Sequence, residues 1–325
     1  MKLCVIGAGI IAESHMKAIG QTGGAQAVAV ADIVLDKAGQ LAARFECRAY
    51  TDYKMMLETE RPDAAIVTLP HKLHTEAAVF CAERGIHVLM EKPMAVSTAG
   101  CDAMIDAARR GGVKLMVGHV GHYIHENRRA REIVRSGELG ELVMIADTRN
   151  TDYFVPGRPG WFLRKELAGG GIFMNLGSHS IDKILFLTGS GIRRITGTVN
   201  GKTGLDVEGA AQAFLELSNG VSAVVNCNGY KTPYVNETML YFTEGTVRLQ
   251  SGSGLWVSRG GEYEPVSCPN RDQDPIQLQL EDFIACIERN EEPPVTEEQG
   301  RQVIAAIEAV YRSSEVSSNE RDQHT

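Results

Sequence analysis

The chain has no apolar run approaching the ~20 residues that span a bilayer, which excludes a transmembrane helix. It also lacks a basic cluster: 33 Lys and Arg stand against 41 Asp and Glu, for a formal charge of -8. That balance argues against nucleic acid and against an anionic membrane surface as partners. Cys-x-x-Cys spacing is absent. The seven cysteines (Cys4, Cys47, Cys81, Cys101, Cys227, Cys268 and Cys286) are scattered and odd in number. They read as small buried thiols in a reducing, cytoplasmic compartment and not as a disulfide framework. The opening apolar stretch of MKLCVIGAGI breaks at glycines after about six residues, too short for a signal-peptide core. No internal repeat or low-complexity linker interrupts the chain.

What is present suits two domains. The 325 residues are 43% hydrophobic and 23% charged, an ordinary globular composition with enough apolar surface for a sizeable core. Apolar strands expected at 2–6, 26–31, 64–68, 86–90 and 113–117 alternate with helices near 12–19, 35–45, 73–84 and 98–110. Strands buried on both faces and separated by helices predict a doubly wound parallel sheet over residues 1–120. Beyond it, a charged helix over 126–136 stops at Gly137. Strand-like runs follow near 141–148, 193–199, 209–217, 221–227, 237–243 and 246–250, several joined by short polar turns such as SNG and TEG. An α+β domain with a largely antiparallel sheet is therefore expected over 121–316, closed by helices near 276–289 and 297–313. Residues 317–325, polar throughout, are expected as a flexible tail.

Gly7, Gly9 and Ala12 form G-x-G-x-x-A directly after a strand, with Ile10 and Ile11 between them, at the opening of a helix. The first glycine permits a tight turn and the second lets backbone approach a pyrophosphate. The small third residue lets helix and strand pack closely. Unpaired N–H groups at the helix start then face the phosphates. Asp32 ends the second strand, where a carboxylate accepts both ribose hydroxyls and repels a 2'-phosphate. The nearest following cation is Lys37, so NAD is expected over NADP. The plainer reading of Asp32 is a cap on the next helix.

Two further segments carry candidate chemistry. HVLMEKPMAVS sets Glu91, Lys92 and Pro93 at the carboxyl end of a buried strand, the edge at which open α/β sheets bind ligands. Lys92 there is either a donor to a substrate oxygen or an exposed loop lysine, and the residues alone leave both open. In LAGGGIFMNLGSHSIDKILFLTG, three glycines precede a helix with Asn175, His179 and Asp182 at i, i+4 and i+7, on one face. A histidine beside apolar residues is more often a core residue; polar neighbours at helical spacing favour a site. His119, His122 and His125, with His71 and His74, could suggest zinc, but no cysteine or paired carboxylate completes a cage, and no metal is expected. The aromatic and cationic loop TDYFVPGRPGWFLRKE offers Trp161 and Arg164 as substrate contacts, with Trp161 equally readable as core. Tyr230 and Tyr234 are candidates for the cleft or for a subunit interface.

Taken together, G-x-G-x-x-A, Asp32, DAAIVTLPHKLH, GIHVLMEKP, SGELGEL and GGGIFMNLGSHSID resemble the glucose–fructose oxidoreductase, inositol dehydrogenase and MocA family, from residue 1 to beyond 300. The resemblance implies a Rossmann domain followed by a domain with a large, open-faced, mostly antiparallel sheet. It further implies NAD(P)-linked oxidation or reduction of a sugar, sugar derivative or cyclitol, in homodimers or homotetramers packed through that sheet. By the same resemblance, Thr68, Leu69, Pro70, His71, His74 and Glu91 border the cofactor. Lys92 and His179 are catalytic with Asn175 beside them. His119, His122 and Tyr123 read from the residues either as lining of the substrate cleft or as part of a domain hinge. His179 would take the hydroxyl proton while Lys92 stabilises the oxygen. Three positions depart from the family pattern. Asn175 replaces an Asp and cannot supply a negative charge, His71 replaces an Asn, and His122 replaces an Arg. Two alternatives stay open: an NAD-binding sensor without turnover, and a glycosidase that works through transient oxidation.

Overall fold

The computed structural model describes residues 1–201 and 204–322. The chain opens with β1 (Lys2–Ile6), α1 (Ile10–Gln21), β2 (Gln26–Ala31), α2 (Leu35–Arg44), β3 (Arg48–Tyr50) and α3 (Tyr53–Glu60). It continues with β4 (Ala64–Val67), α4 (His74–Ala82), β5 (His87–Glu91), α5 (Thr98–Gly111) and β6 (Leu115–Gly118). Next come α6 (His125–Ser136), β7 (Leu142–Asn150), α7 (Lys165–Ala168), a π-helical turn Phe173–Gly177 and α8 (Ser178–Thr188). Strands β8 (Ile192–Asn200), β9 (Ala210–Leu217), β10 (Ser222–Asn228), β11 (Val235–Phe242), β12 (Gly245–Gln250), β13 (Gly254–Ser258) and β14 (Glu264–Pro265) follow. The last elements are α9 (Pro275–Glu288) and α10 (Glu297–Asp322).

The first six strands form one sheet in the order β3-β2-β1-β4-β5-β6, every pair parallel. Strands β4 and β6 are buried at every residue, as a sheet covered on both faces requires. The order reverses between β1 and β4, and the crevice beyond their carboxyl ends is where this architecture receives ligands. The other eight strands run β14-β13-β12-β11-β7-β10-β9-β8. All neighbours there are antiparallel except β7 and β10. Alternation along β9, with Ala211, Ala213, Leu215 and Leu217 buried and Phe214 exposed, gives this sheet one covered face and one open face. Among the described residues no helix is long and apolar enough to cross a membrane.

Two compact units emerge: Met1–Val120 with Asp272–Arg301, and Gly121–Arg271 with the chain from Gln302 onward. The helix expected near 276–289 was assigned to the second domain and is corrected here. It is α9, and it packs with α1 in the first unit. The predicted tail is corrected in part, because α10 runs through Asp322. A helix already nucleated extends through polar residues easily. Residues 323–325 lie outside the described residues.

Sequence patterning missed β3, α3, β13 and β14, which are short. Helix α3 is held at its start by Asp52, whose carboxylate accepts from the N–H groups of Lys54 at 2.7 Å and Met55 at 3.3 Å. Replacing Asp52 with Ala should lower stability by about 1 kcal/mol in urea unfolding, and an unchanged midpoint would contradict the cap.

Candidate active site

In the first unit the glycine turn packs directly on the switch point. Gly7 has φ +103, and a Cβ there would stand 2.8 Å from both the carbonyl oxygen and the hydroxyl of Thr68. Only glycine takes that backbone in that space. Thr68 in turn donates its hydroxyl to the carbonyls of Ile6 at 3.0 Å and Gly7 at 3.1 Å. Around Gly9, by contrast, nothing lies within 4 Å of an added Cβ. The start of α1 has no side-chain cap, so its first N–H groups face an open approach. Ile10 is 87% exposed and Ile33 is 90% exposed, apolar surface left uncovered beside the turn.

Asp32 does more than end a strand. Its carboxylate accepts from the N–H groups of Ala8 and Val34, both at 2.9 Å, which ties the glycine turn to the end of β2. It does not cap α2, whose N-cap position is Val34. Each carboxylate oxygen keeps a lone pair for another donor, so the residue still fits a ribose diol. The glycine turn, the uncapped helix start and Asp32 together fit a dinucleotide.

The Glu91–Lys92–Pro93 segment ends β5 and is held on both sides by buried histidines. His15, on α1, stands with Nε2 2.8 Å from Glu91 Oε1, and Glu91 Oε2 accepts the Lys92 N–H at 3.1 Å. Burial pushes the Glu91 carboxyl up. The hydrogen bond and charge of His15, then Lys92, outweigh that and hold it below the usual carboxylate range. His74 places Nε2 2.8 Å from the Leu69 carbonyl and Nδ1 3.0 Å from the Pro93 carbonyl. His71 follows Pro70 in a short 3-10 turn and is buried, its ring 5.8 Å from that of His74. The Lys92–Pro93 bond is cis. His15 was missed because it lies inside an otherwise ordinary amphipathic helix.

In the second unit, the glycine run Gly169–Gly171 passes against Glu208 and Tyr311. A Cβ on Gly171 would come within 2.0 Å of the Glu208 carbonyl oxygen. The Glu208 carboxylate accepts from Gly171 N–H at 2.7 Å, Phe173 N–H at 2.9 Å and the Tyr311 hydroxyl at 2.9 Å. It thus satisfies amides that a helix start otherwise leaves orphaned. The helix then begins with a π turn, in which the Ser178 N–H reaches back to Phe173 O. Asn175 lies in that turn, so the expected i, i+4, i+7 face is displaced at its first member.

Asn175 is buried, with Nδ2 3.4 Å from the hydroxyl of fully buried Tyr153. Burial pushes the Tyr153 phenol up to about 12, against the pull of Asn175 and Arg158. Along α8 every residue from Ser178 to Leu187 is buried except His179. Asp182 turns inward, its Oδ1 2.9 Å from His122 Nε2, and the His122 ring lies 4.3 Å from Phe186. Tyr123 is 1% exposed, with the Arg128 guanidinium 4.9 Å from its ring centroid. Trp161 stacks on Phe162 at 3.7 Å and is half-buried, while Arg164 is exposed. Tyr153 and Glu208 escaped sequence reasoning: Tyr153 lies in the aromatic loop from which only Trp161 and Arg164 were singled out, and Glu208 has no motif around it. Among the described residues no group of three or more His, Cys, Asp or Glu is placed to hold a metal ion.

The family model described as "Oxidoreductase family, NAD-binding Rossmann fold" matches residues 1–119. The model "GFO/IDH/MocA C-terminal domain" matches residues 127–248. The chain belongs to the Gfo/Idh/MocA oxidoreductase family. Its first unit is accordingly the family's NAD-binding domain. One relative is a 1-carboxy-3-chloro-3,4-dihydroxycyclo hexa-1,5-diene dehydrogenase from Comamonas testosteroni. It is 31% identical over 228 residues, covering 69% of this chain and 52% of that protein. The chain thus spans about half the length of that Gfo/Idh/MocA relative. A D-xylose 1-dehydrogenase (NADP(+)) from Haloferax volcanii is 27% identical over 277 residues, covering 83% of each protein. Among solved structures, the aldose-aldose oxidoreductase from Caulobacter crescentus, complexed with glycerol, superimposes with a TM-score of 0.89. It is 24% identical and covers 98% of each chain, a likeness of fold.

Two substitutions test this geometry. Asp32→Ala should weaken NAD binding at least ~10-fold in calorimetry, because it removes a ribose acceptor and frees the glycine turn. Unaltered affinity would sink that role. Gly171→Ala should destabilise by about 3 kcal/mol, since backbone and not a flexible side chain blocks the added methyl. A thermal midpoint equal to wild type would refute the close passage.

Proposed function

We propose that this chain transfers a hydride between NAD and a hydroxyl-bearing carbon of a sugar, sugar derivative or cyclitol. One observation carries the reading: from Ser178 to Leu187 every residue of α8 is buried except the half-buried His179, one turn from a buried Asn175. The family's two domain models and the dehydrogenase names of the relatives support the same reaction class.

In this reading the bound nicotinamide supplies the two-electron donor or acceptor, and the protein orients and shields the reaction. His179 takes the proton from the substrate hydroxyl. Lys92, in the segment held by His15 and His74, steadies negative charge on that oxygen. Asn175 hydrogen-bonds the substrate without adding a charge, in line with its neutral partner Tyr153. Trp161 and Arg164 are proposed as outer substrate contacts. Asp32 selects NAD over NADP by repelling a 2'-phosphate. The scattered, odd-numbered cysteines without Cys-x-x-Cys spacing support a reducing, cytoplasmic setting.

The open face of the second sheet supports self-association. Phe214, Val224, Ala146 and Met239 stand in one cross-strand row. Phe214 is 45% exposed and Val224 is 36% exposed, an apolar stripe of the kind that subunits cover. We assign it to a homodimer or homotetramer.

A screen of NAD reduction over inositols, aldoses, amino sugars and sugar acids should find an active substrate class. His179→Gln and Lys92→Met should then each lower turnover ~10²-fold or more while NAD still binds. Near-wild-type rates in both would overturn the roles. Val224→Arg should convert the assembly to monomers in light scattering, and an unchanged mass would rule out that face.

A further inference from the structure

Helix α8 rests on a charge pair that the proposed reaction does not use. Lys183, one turn beyond His179 on nearly the same helical face, lies with Nζ 2.7 Å from Asp147 Oδ2 on β7. The two side chains are 1% and 0% exposed. Asp147 also accepts the Thr238 hydroxyl of β11 at 2.6 Å, and Arg149 Nε of its own strand stands 3.9 Å away. Ser180 faces the carboxylate from α8, and Cys227 of β10 is the remaining titratable neighbour. Groups from three neighbouring strands and the helix therefore meet at one buried carboxylate.

Two ions in such a place are a poor source of stability, because their desolvation offsets most of their attraction. Apolar residues of like volume would hold a helix on a sheet at least as well. What the pair adds is direction. A buried ammonium that must stay within reach of one buried carboxylate limits how far α8 can rotate or slide on the sheet, because separating the two would strand both charges. We propose that Lys183 and Asp147 are positioning residues that set the rotation and depth of α8, and with them the placement of the His179 imidazole. Burial lowers the Lys183 ammonium to about 8 against the pull of Asp147. Burial raises the Asp147 carboxyl, but Lys183 and Arg149 outweigh it and leave it low. The inference rests on the reading of His179 as the acting group, but its test needs no turnover.

Lys183→Met and Asp147→Leu each strand one buried charge, and each should lower the melting temperature by roughly 10 °C. The double variant Lys183→Met/Asp147→Leu should recover most of that loss. Histidine-selective NMR of the full chain then reads the positioning role, with the His179 signal assigned by its disappearance in His179→Gln. In the recovered double variant that signal should move, and its titration midpoint should shift by about 0.5 pH units or more, while the His15 and His74 signals stay in place. A native His179 signal and midpoint in the stable double variant would overturn the proposal. If the double variant fails to fold, Thr238→Val, which removes one donor and leaves both charges, decides instead. There too a moved His179 signal supports the proposal and an unmoved one overturns it. A negative result leaves the oxidoreductase reading standing, and a failed substrate screen leaves this measurement unaffected.

Discussion

Everything in the second unit that bears on chemistry depends on where one chain segment turns from loop into helix, and the carboxylate of Glu208 sets that point. It takes the N–H groups of Gly171 and Phe173 and the Tyr311 hydroxyl at once. A helix start buried without such an acceptor would leave amides unsatisfied, at about 1–3 kcal/mol each. Glycine at 171 is what lets the backbone come near enough. The π turn with Asn175 and the accessible His179 follow from that anchored start. The residues proposed for chemistry in this unit thus hang from one buried carboxylate.

The sheet explains why this segment exists. Among the antiparallel strands, β7 and β10 run parallel. A parallel pair cannot be closed by a tight hairpin, so the chain leaving Asn150 must travel before β10 can form. Part of that excursion is residues 151–188, which hold Tyr153, Arg158, Trp161, the glycine run, Asn175 and His179. Long connections over a rigid sheet are where binding groups concentrate. Here strand direction demands the connection.

The dinucleotide half of the molecule was legible because its rules are local. Three small residues after a strand, and an acid at the end of the next, announce themselves in sequence. The other half was less so. His179 could be singled out from a familiar pattern; that it would be the one half-buried residue between Ser178 and Leu187 could not, because burial is a property of the packed helix. Tyr153 and Glu208 lie far along the chain from the groups they hold, and no spacing connects them. Burial of Tyr123, an aromatic next to a motif residue, is likewise a property that no spacing shows. The assignment of α9 failed for a similar reason, since sequence proximity does not say which core a returning helix joins.

His15 has a consequence beyond holding one carboxylate. It belongs to α1, whose opening turn has no side-chain cap, and it grips Glu91, the residue next to Lys92. Through that imidazole and carboxylate, the helix proposed to meet the phosphates and the backbone of the lysine proposed for the substrate oxygen share one anchor.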